Sequence, residues 1–271
     1  LFRSEASIGW CGYPLDKRIF PWNHANCGDL NLSGERRPQS YLRETLWSDA
    51  PVSHIVVTPP VPSFPLNPNK ADWSVWDFPD VVDHWNFPGY EGKKMTVSVY
   101  SNCEQVELFL NGESLGKQEN TADKKNTLVW EVPYAHGILK AVSYNKGGEV
   151  GTATLESAGK VEKIRLSADR TEIVADGNDL SYITLELVDS KGIRNQLAEE
   201  LVEFSIAGDA TIEGVGNANP MSIESFVANS RKTWRGSNLL VVRSGKSSGR
   251  IIVTAKVKAL PVASITITQK K

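Results

Sequence analysis

The sequence predicts a mainly β protein: two immunoglobulin-like antiparallel β-sandwiches, preceded by a short, partly helical segment. Three observations predict it. The stretch from Met95 to Gly116 reads MTVSVYSNCEQVELFLNGESLG, in which Val97 and Val99 alternate with Thr96, Ser98 and Tyr100. After the Asn102-Cys103 break, Val106, Leu108 and Leu110 alternate with Glu107 and Phe109, the period-two pattern of half-buried strands. Asn111-Gly112 then supplies a tight hairpin turn, which needs φ > 0 at both central positions, and the turn is expected to pair Leu110 with Glu113 and Leu108 with Leu115. Short strands separated by turn residues continue to Ile267, as in sandwiches.

Residues 1–50 differ in texture from the rest. They hold Trp10, Trp22 and Trp47, Cys11 and Cys27, and one helix candidate, Pro38–Leu46. Pro38 suits a first turn, and Tyr41/Thr45 and Leu42/Leu46 stand at i,i+4 spacing. One helix cannot close a core, so this segment is expected to pack on chain outside it or across the next domain. From Ala50 to Pro68 recurrent prolines forbid helix, and a single short strand is expected at His54–Thr58. The domain boundary is placed here, giving 1–50, 51–158 and 159–271.

Within 51–158, strands are expected at Trp73–Trp76, Met95–Ser101, Gln105–Leu110, Glu113–Gln118, Thr127–Val132, Gly137–Tyr144 and Glu149–Leu155. A second set follows Ser157-Ala158-Gly159. Val161–Ala168 is a strand, Ile183, Leu185 and Leu187 form one strand face, and Val202, Phe204 and Ile206 form another. Ile251, Val253, Ala255 and Val257 continue the pattern, and Ile265 and Ile267 close it. The Gly214–Pro220 segment has the chemistry of turns; no Lys-Ser/Thr follows it, so it is read as a structural loop and not a phosphate loop.

Composition excludes several function classes. The 271 residues carry 30 basic and 32 acidic side chains, a net charge of -2, with no long run of either sign. That is no footprint for nucleic acid or an anionic membrane surface. No stretch approaches the roughly twenty apolar residues of a membrane span, and no signal-peptide core is present. The chain begins at Leu1 and not Met, as a processed protein or an expressed fragment would. Cys11, Cys27 and Cys103 lack the paired spacing of a zinc site; they are read as mostly free, packed thiols, with a Cys11–Cys27 bridge left open. His54, His84 and His136 fall apart in sequence, so neither a metal site nor a cofactor is expected.

Glycoside hydrolysis needs two carboxylates held on a rigid frame, one of them protonated at working pH. Glu5, Asp16, Asp29, Glu35 and Glu44 precede the sandwiches, but nothing in the sequence brings two of them together, and solvated carboxylates are the expectation. His24 lies beside Trp22, Asn26 and Asp29 in PWNHANCGD, a polar-aromatic cluster of the kind that lines sugar sites; a loop packed by its tryptophan is the plainer reading. Trp73, Trp76, Phe78, Trp85 and Phe87 form an aromatic run before the hairpin. Exposed, Trp73 and Trp76 would make a carbohydrate platform; the interleaved Pro79, Pro88 and Gly89 favour a loop wrapped against a neighbouring domain.

Longer motifs carry a resemblance. HWNFPGYEGKKMTVSVYSNCEQVELFLNGESLGKQ and VPYAHGILKAVSYNKGGEVGTATLESAG resemble the β-sandwich that follows the catalytic barrel in bacterial family 2 glycoside hydrolases of the β-galactosidase type. IRLSADRTEIVADGNDLSYITLELVDSKG, EGVGNANPMSIESF and WRGSNLLVVRS resemble the C-terminal immunoglobulin-like domain of those enzymes, and PWNHANCGDLNLSGERRPQSYLRETLW resembles the end of their (β/α)8 barrel. The resemblance implies that both catalytic glutamates lie N-terminal to the matched region. No Asn-Glu dipeptide, the family's acid/base signature, occurs in this chain. A structural role beside a catalytic barrel is therefore expected, with no catalytic residue here. Trp10, His24 and Asp29 would border the substrate pocket of an intact enzyme by position. The resemblance also implies a periplasmic or secreted bacterial parent, a carbohydrate substrate met only through that parent, and leaves a homodimer contact open. A carbohydrate-binding module and a bacterial surface-adhesion array are the alternatives.

Overall fold

The computed structural model describes residues 28–64 and 78–271, together with Pro21. The strand expected at Trp73–Trp76 lies outside the described residues, as do Cys11 and Cys27. The chain is mainly β, with several antiparallel sheets, and divides into two compact units, Leu1–Ser157 and Ala158–Lys271.

In the first unit, helix α1 spans Pro38–Trp47, one residue past the expected end. Pro38 opens it where a missing N–H leaves nothing unsatisfied. Ser48 then turns to extended backbone, its N–H still bonded to Glu44 O at 2.9 Å, and Pro51 bars any continuation. Thr45 is buried while Leu46 is 61% exposed, so the expected Leu42/Leu46 ridge does not face the core.

Strands β1 (Ser53–Val57), β2 (Lys94–Ser101), β3 (Gln105–Leu110), β4 (Glu113–Glu119), β5 (Thr127–Pro133), β6 (Ile138–Asn145) and β7 (Gly148–Glu156) follow. They form two antiparallel sheets, ordered β1-β2-β5 and β4-β3-β6-β7. The inward positions of the period-two pattern, Val97, Val99, Val106, Leu108, Leu128 and Leu139, are fully buried between them. Each such side chain contributes about 1.5–3 kcal/mol relative to exposure.

The Asn111-Gly112 turn has φ of 52° and 88° and pairs Leu110 with Glu113. The expected Leu108–Leu115 pair is not formed. The register shifts by one residue between Glu107 and Phe109, so Leu115 and Gly116 together oppose Leu108. This is a β-bulge, and it adds twist to the hairpin.

Trp85 and Phe87 depart from expectation more sharply. They do not wrap a neighbouring domain; they enter the core of their own sandwich, Trp85 with no exposed surface. Trp85 and Tyr134 meet edge to face at 5.0 Å, and Phe87 and Tyr134 at 5.7 Å, geometries that suit the ring quadrupole. The polar edges are satisfied as burial requires: Trp85 Nε1 donates to Ala135 O at 2.9 Å, and Tyr134 Oη accepts the Phe87 N–H at 3.0 Å. Cys103 is a buried free thiol.

The second unit contains β8 (Lys163–Ala168), β9 (Glu172–Val174), β10 (Leu180–Val188), β11 (Leu201–Ala207), β12 (Ala210–Gly216), β13 (Ser230–Lys232), β14 (Ser237–Ser244), β15 (Gly249–Val257) and β16 (Ala263–Lys270). Its sheets are ordered β12-β14-β10-β8 and β13-β11-β15-β16-β9. Ile183, Leu185, Leu187, Phe204, Leu240, Val242, Ile251 and Val253 are buried between them. One pairing is parallel, β9 against the end of β16, because the chain crosses from one sheet to the other between Ala168 and Glu172. Strands β9, β12, β13 and β14 are additions to the sequence reading. β14 hides its alternation inside Leu239-Leu240-Val241-Val242, where only Leu240 and Val242 are fully buried. The Gly214–Pro220 stretch ends β12 and enters a loop, with Asn217 Oδ1 accepting the Asn219 N–H at 3.2 Å.

Candidate functional site

A polar and aromatic constellation lies where helix α1 meets the first sandwich. Loop 28–37 doubles back on itself through the Leu30–Arg36 bridge, with Asn31 Oδ1 accepting the N–H groups of Ser33 and Glu35. It delivers Arg36 to the helix, where Arg36 Nε bonds Ser40 Oγ at 3.0 Å and Nη2 meets Glu44 at 2.6 Å. The Arg36 guanidinium stands 3.9 Å from the Tyr41 ring centroid, within cation–π range. Tyr41 in turn stacks on His54 of β1, with centroids 3.6 Å apart and planes 8° from parallel.

His54 is half-buried, and its Nε2, shut off from solvent, finds no hydrogen-bond partner among the described residues. Burial lowers its pKa to about 4, with the Arg36 charge acting in the same direction and the Asp83 and Glu44 carboxylates opposing. The imidazole is therefore neutral at physiological pH.

Two side-chain amides complete the junction. Asn102, in the β2–β3 loop, donates through Nδ2 to Ser48 O and Ala50 O at 2.9 Å each, while its Oδ1 accepts the Val52 N–H at 2.8 Å. Asn126, just before β5, donates to Thr45 Oγ1 at 3.0 Å and Thr45 O at 3.3 Å. A helix too short to be stable alone is so held by the sandwich it lies on.

The residues singled out from sequence distribute as follows. Trp10, His24, Trp73 and Trp76 lie outside the described residues. Asp29 is described: its side chain forms an ion pair with Arg43 of α1, and its backbone O accepts the Arg37 N–H at 2.8 Å. The Tyr41–His54 stack and the two clamping asparagines were not anticipated. Asn126 reaches back 81 positions to Thr45 and Asn102 reaches 54 to Ser48, and no local pattern encodes such contacts.

Each described carboxylate with a shifted pKa is shifted down: Asp123, Asp176, Asp179, Asp189 and Asp209. Asp176 accepts the N–H groups of Asn178 and Asp179, and Asp209 that of Ser247. At Asp189 burial opposes ionisation, and the N–H groups of Gly159, Ile193 and Lys191 outweigh it. These carboxylates hold loops by accepting hydrogen bonds in the ionised form. Among the described residues no cluster of three or more His, Cys, Asp or Glu could hold a metal ion. No helix among them is long and apolar enough to cross a membrane.

Both units are immunoglobulin-like β-sandwiches, a class that serves many unrelated functions, so identity rests on similarity to known proteins. Residues 164–266 match glycoside hydrolase family 2 C-terminal domain 5, and residues 92–151 match a family described as a domain of unknown function. Beta-galactosidase BoGH2A of Bacteroides ovatus is 30% identical over 253 residues, 93% of this chain and 26% of that protein. A beta-glucuronidase of Formosa agariphila is 30% identical over 205 residues, 73% of this chain and 20% of that protein. A solved structure of a glycosyl hydrolase family 2 member from Bacteroides cellulosilyticus is 99% identical, with a TM-score of 0.94, covering 98% of this chain and 34% of that one. The chain belongs to glycoside hydrolase family 2. It spans between 20% and 34% of the length of these relatives.

Proposed function

We propose that this chain is the non-catalytic C-terminal portion of a retaining, β-galactosidase-like glycoside hydrolase, bracing a catalytic barrel that lies N-terminal to it. The acid/base and nucleophile glutamates belong to that barrel, and residues 1–50 are its last loop and helix. One observation carries the reading: Asn102 and Asn126 fasten helix α1 and the chain after it to the first sandwich, as a brace between this helix and a β module requires. The parent hydrolyses terminal β-galactosides, in keeping with the Bacteroides ovatus relative's name, and works in the periplasm or outside the cell. The similarity to a beta-glucuronidase makes β-glucuronides the second substrate class to test.

The test is a turnover assay with aryl β-galactoside and aryl β-glucuronide, run on this chain and on the longer parent. The parent hydrolyses one of them and this chain neither. Hydrolysis by this chain, abolished by substituting one of its own carboxylates, overturns the proposal. A glycan screen separates the carbohydrate-binding alternative, with Trp73→Ala and Trp76→Ala as the diagnostic variants.

A further inference from the structure

We propose that loop 217–229, between β12 and β13, is a preformed apolar knob that docks on the part of the family 2 polypeptide lying outside this chain. Ile223 is 83% exposed and Val227 84%, more than any other large apolar side chain among the described residues, and Phe226 beside them is 51% exposed. The one charged residue of the loop, Glu224, is turned to its base: Oε1 accepts the Lys232 N–H at 3.0 Å and Oε2 the Ser222 hydroxyl at 3.1 Å. The loop therefore presents three exposed apolar side chains with its one carboxylate held back from them, a small apolar patch of the kind that marks contact sites.

The loop is stiffened from behind at considerable energetic expense. Arg231 is 1% exposed; its Nη1 donates to Val215 O at 3.1 Å and Glu224 O at 3.2 Å, and Nη2 donates to Ser222 Oγ at 3.0 Å. Its guanidinium lies 4.2 Å from the Phe226 ring centroid. Burying a cation carries a desolvation penalty that its hydrogen bonds must offset, and an apolar residue would fill the same volume without it. What the arginine adds is a fixed loop shape, and a fixed shape loses little entropy on docking.

The size of the knob points to a tethered occupant. Stable association of separate chains buries about 800 Å² on each partner, and three side chains of this size fall well short of that. A tethered partner needs far less, because the linkage holds it at an effective concentration of about millimolar. The 99% identical solved chain extends well beyond the matched region, which spans 34% of it, so the larger part of that polypeptide can serve as such a partner.

This inference rests on the bracing role proposed above, and its readout is accessibility and not turnover, so the two can fail separately. Val227→Cys is introduced in a Cys11→Ser/Cys27→Ser background and labelled with N-ethylmaleimide, in this chain and in the full-length family 2 polypeptide, each rate normalised to that in denaturant. Cys103, at 1% exposure, stays silent. Labelling is expected to be at least about tenfold slower in the full-length protein, and adding Ile223→Ser there to restore the fast rate. Equal rates in the two proteins overturn the proposal. So does a rate that falls with rising protein concentration, which would mean a second copy, or with added oligosaccharide, which would mean a sugar.

Discussion

His54 of β1 and Tyr41 of helix α1 lie face to face at 3.6 Å, with the Arg36 guanidinium also set on the Tyr41 ring. The phenol is thus held between a cation and a neutral imidazole, and a strand of the sandwich is joined to the helix by stacked rings. The arrangement favours an uncharged His54, since protonation would put two cations about one ring with the imidazole Nε2 shut off from solvent.

That requirement makes the first unit's stability depend on pH. His54 has an ordinary pKa of 6.5, lowered to about 4 by burial, with Arg36 reinforcing and Asp83 and Glu44 opposing. Its contribution is complete above 6.5 and falls away as pH drops toward 4, because the unfolded chain takes up the proton first. Denaturant unfolding at pH 7 and pH 4.5 should differ by about 2–3 kcal/mol on account of this one side chain. His54→Phe should flatten the profile across that window; an unchanged slope would assign the pH dependence elsewhere.

Asn102 holds three backbone groups of the chain leading into β1. Asn102→Ala should cost about 2–3 kcal/mol, near 1 kcal/mol for each bond lost. Hydrogen exchange should accelerate over residues 38–52 more than in β5 and β6. Uniform acceleration across the sandwich would show that the clamp is not local.

Gly137 has φ of +143°, and a Cβ there would stand 1.8 Å from Asn111 Oδ1, the atom that accepts the Ile138 N–H at 2.7 Å. Gly137→Ala should destabilise the first unit by about 2–4 kcal/mol through backbone strain and the clash together. Asn111→Gly should recover the clash but not the strain. A double-mutant cycle showing simple additivity would refute the coupling.

Arg231→Met removes the donors to Val215 O, Glu224 O and Ser222 Oγ while keeping apolar volume. The acceptors lose their donor, but the cost of burying the cation goes with it, so the second unit should lose only about 1–2 kcal/mol. Thermal unfolding followed at a probe in each unit should show the loss there and not in the first.

The amino-acid order alone determined the strands whose two faces differ. Met95–Ser101, Gln105–Leu110 and the Asn111-Gly112 turn were readable because period two and the positive-φ residues are local properties of the chain. Short segments such as Glu172–Val174 and Ser230–Lys232 were not, since three residues carry no period and exist as strands only by pairing with distant neighbours. Tertiary structure likewise decided where the aromatic run goes: Trp85 and Phe87 could pack inward or outward, and Tyr134, some 47 positions beyond Phe87, supplies the inward partner. The junction of Tyr41, His54, Asn102 and Asn126 belongs wholly to that second category. A stacked ring or a clamping amide is defined by its partner in space, and these partners are brought together only when the helix settles on the folded sandwich.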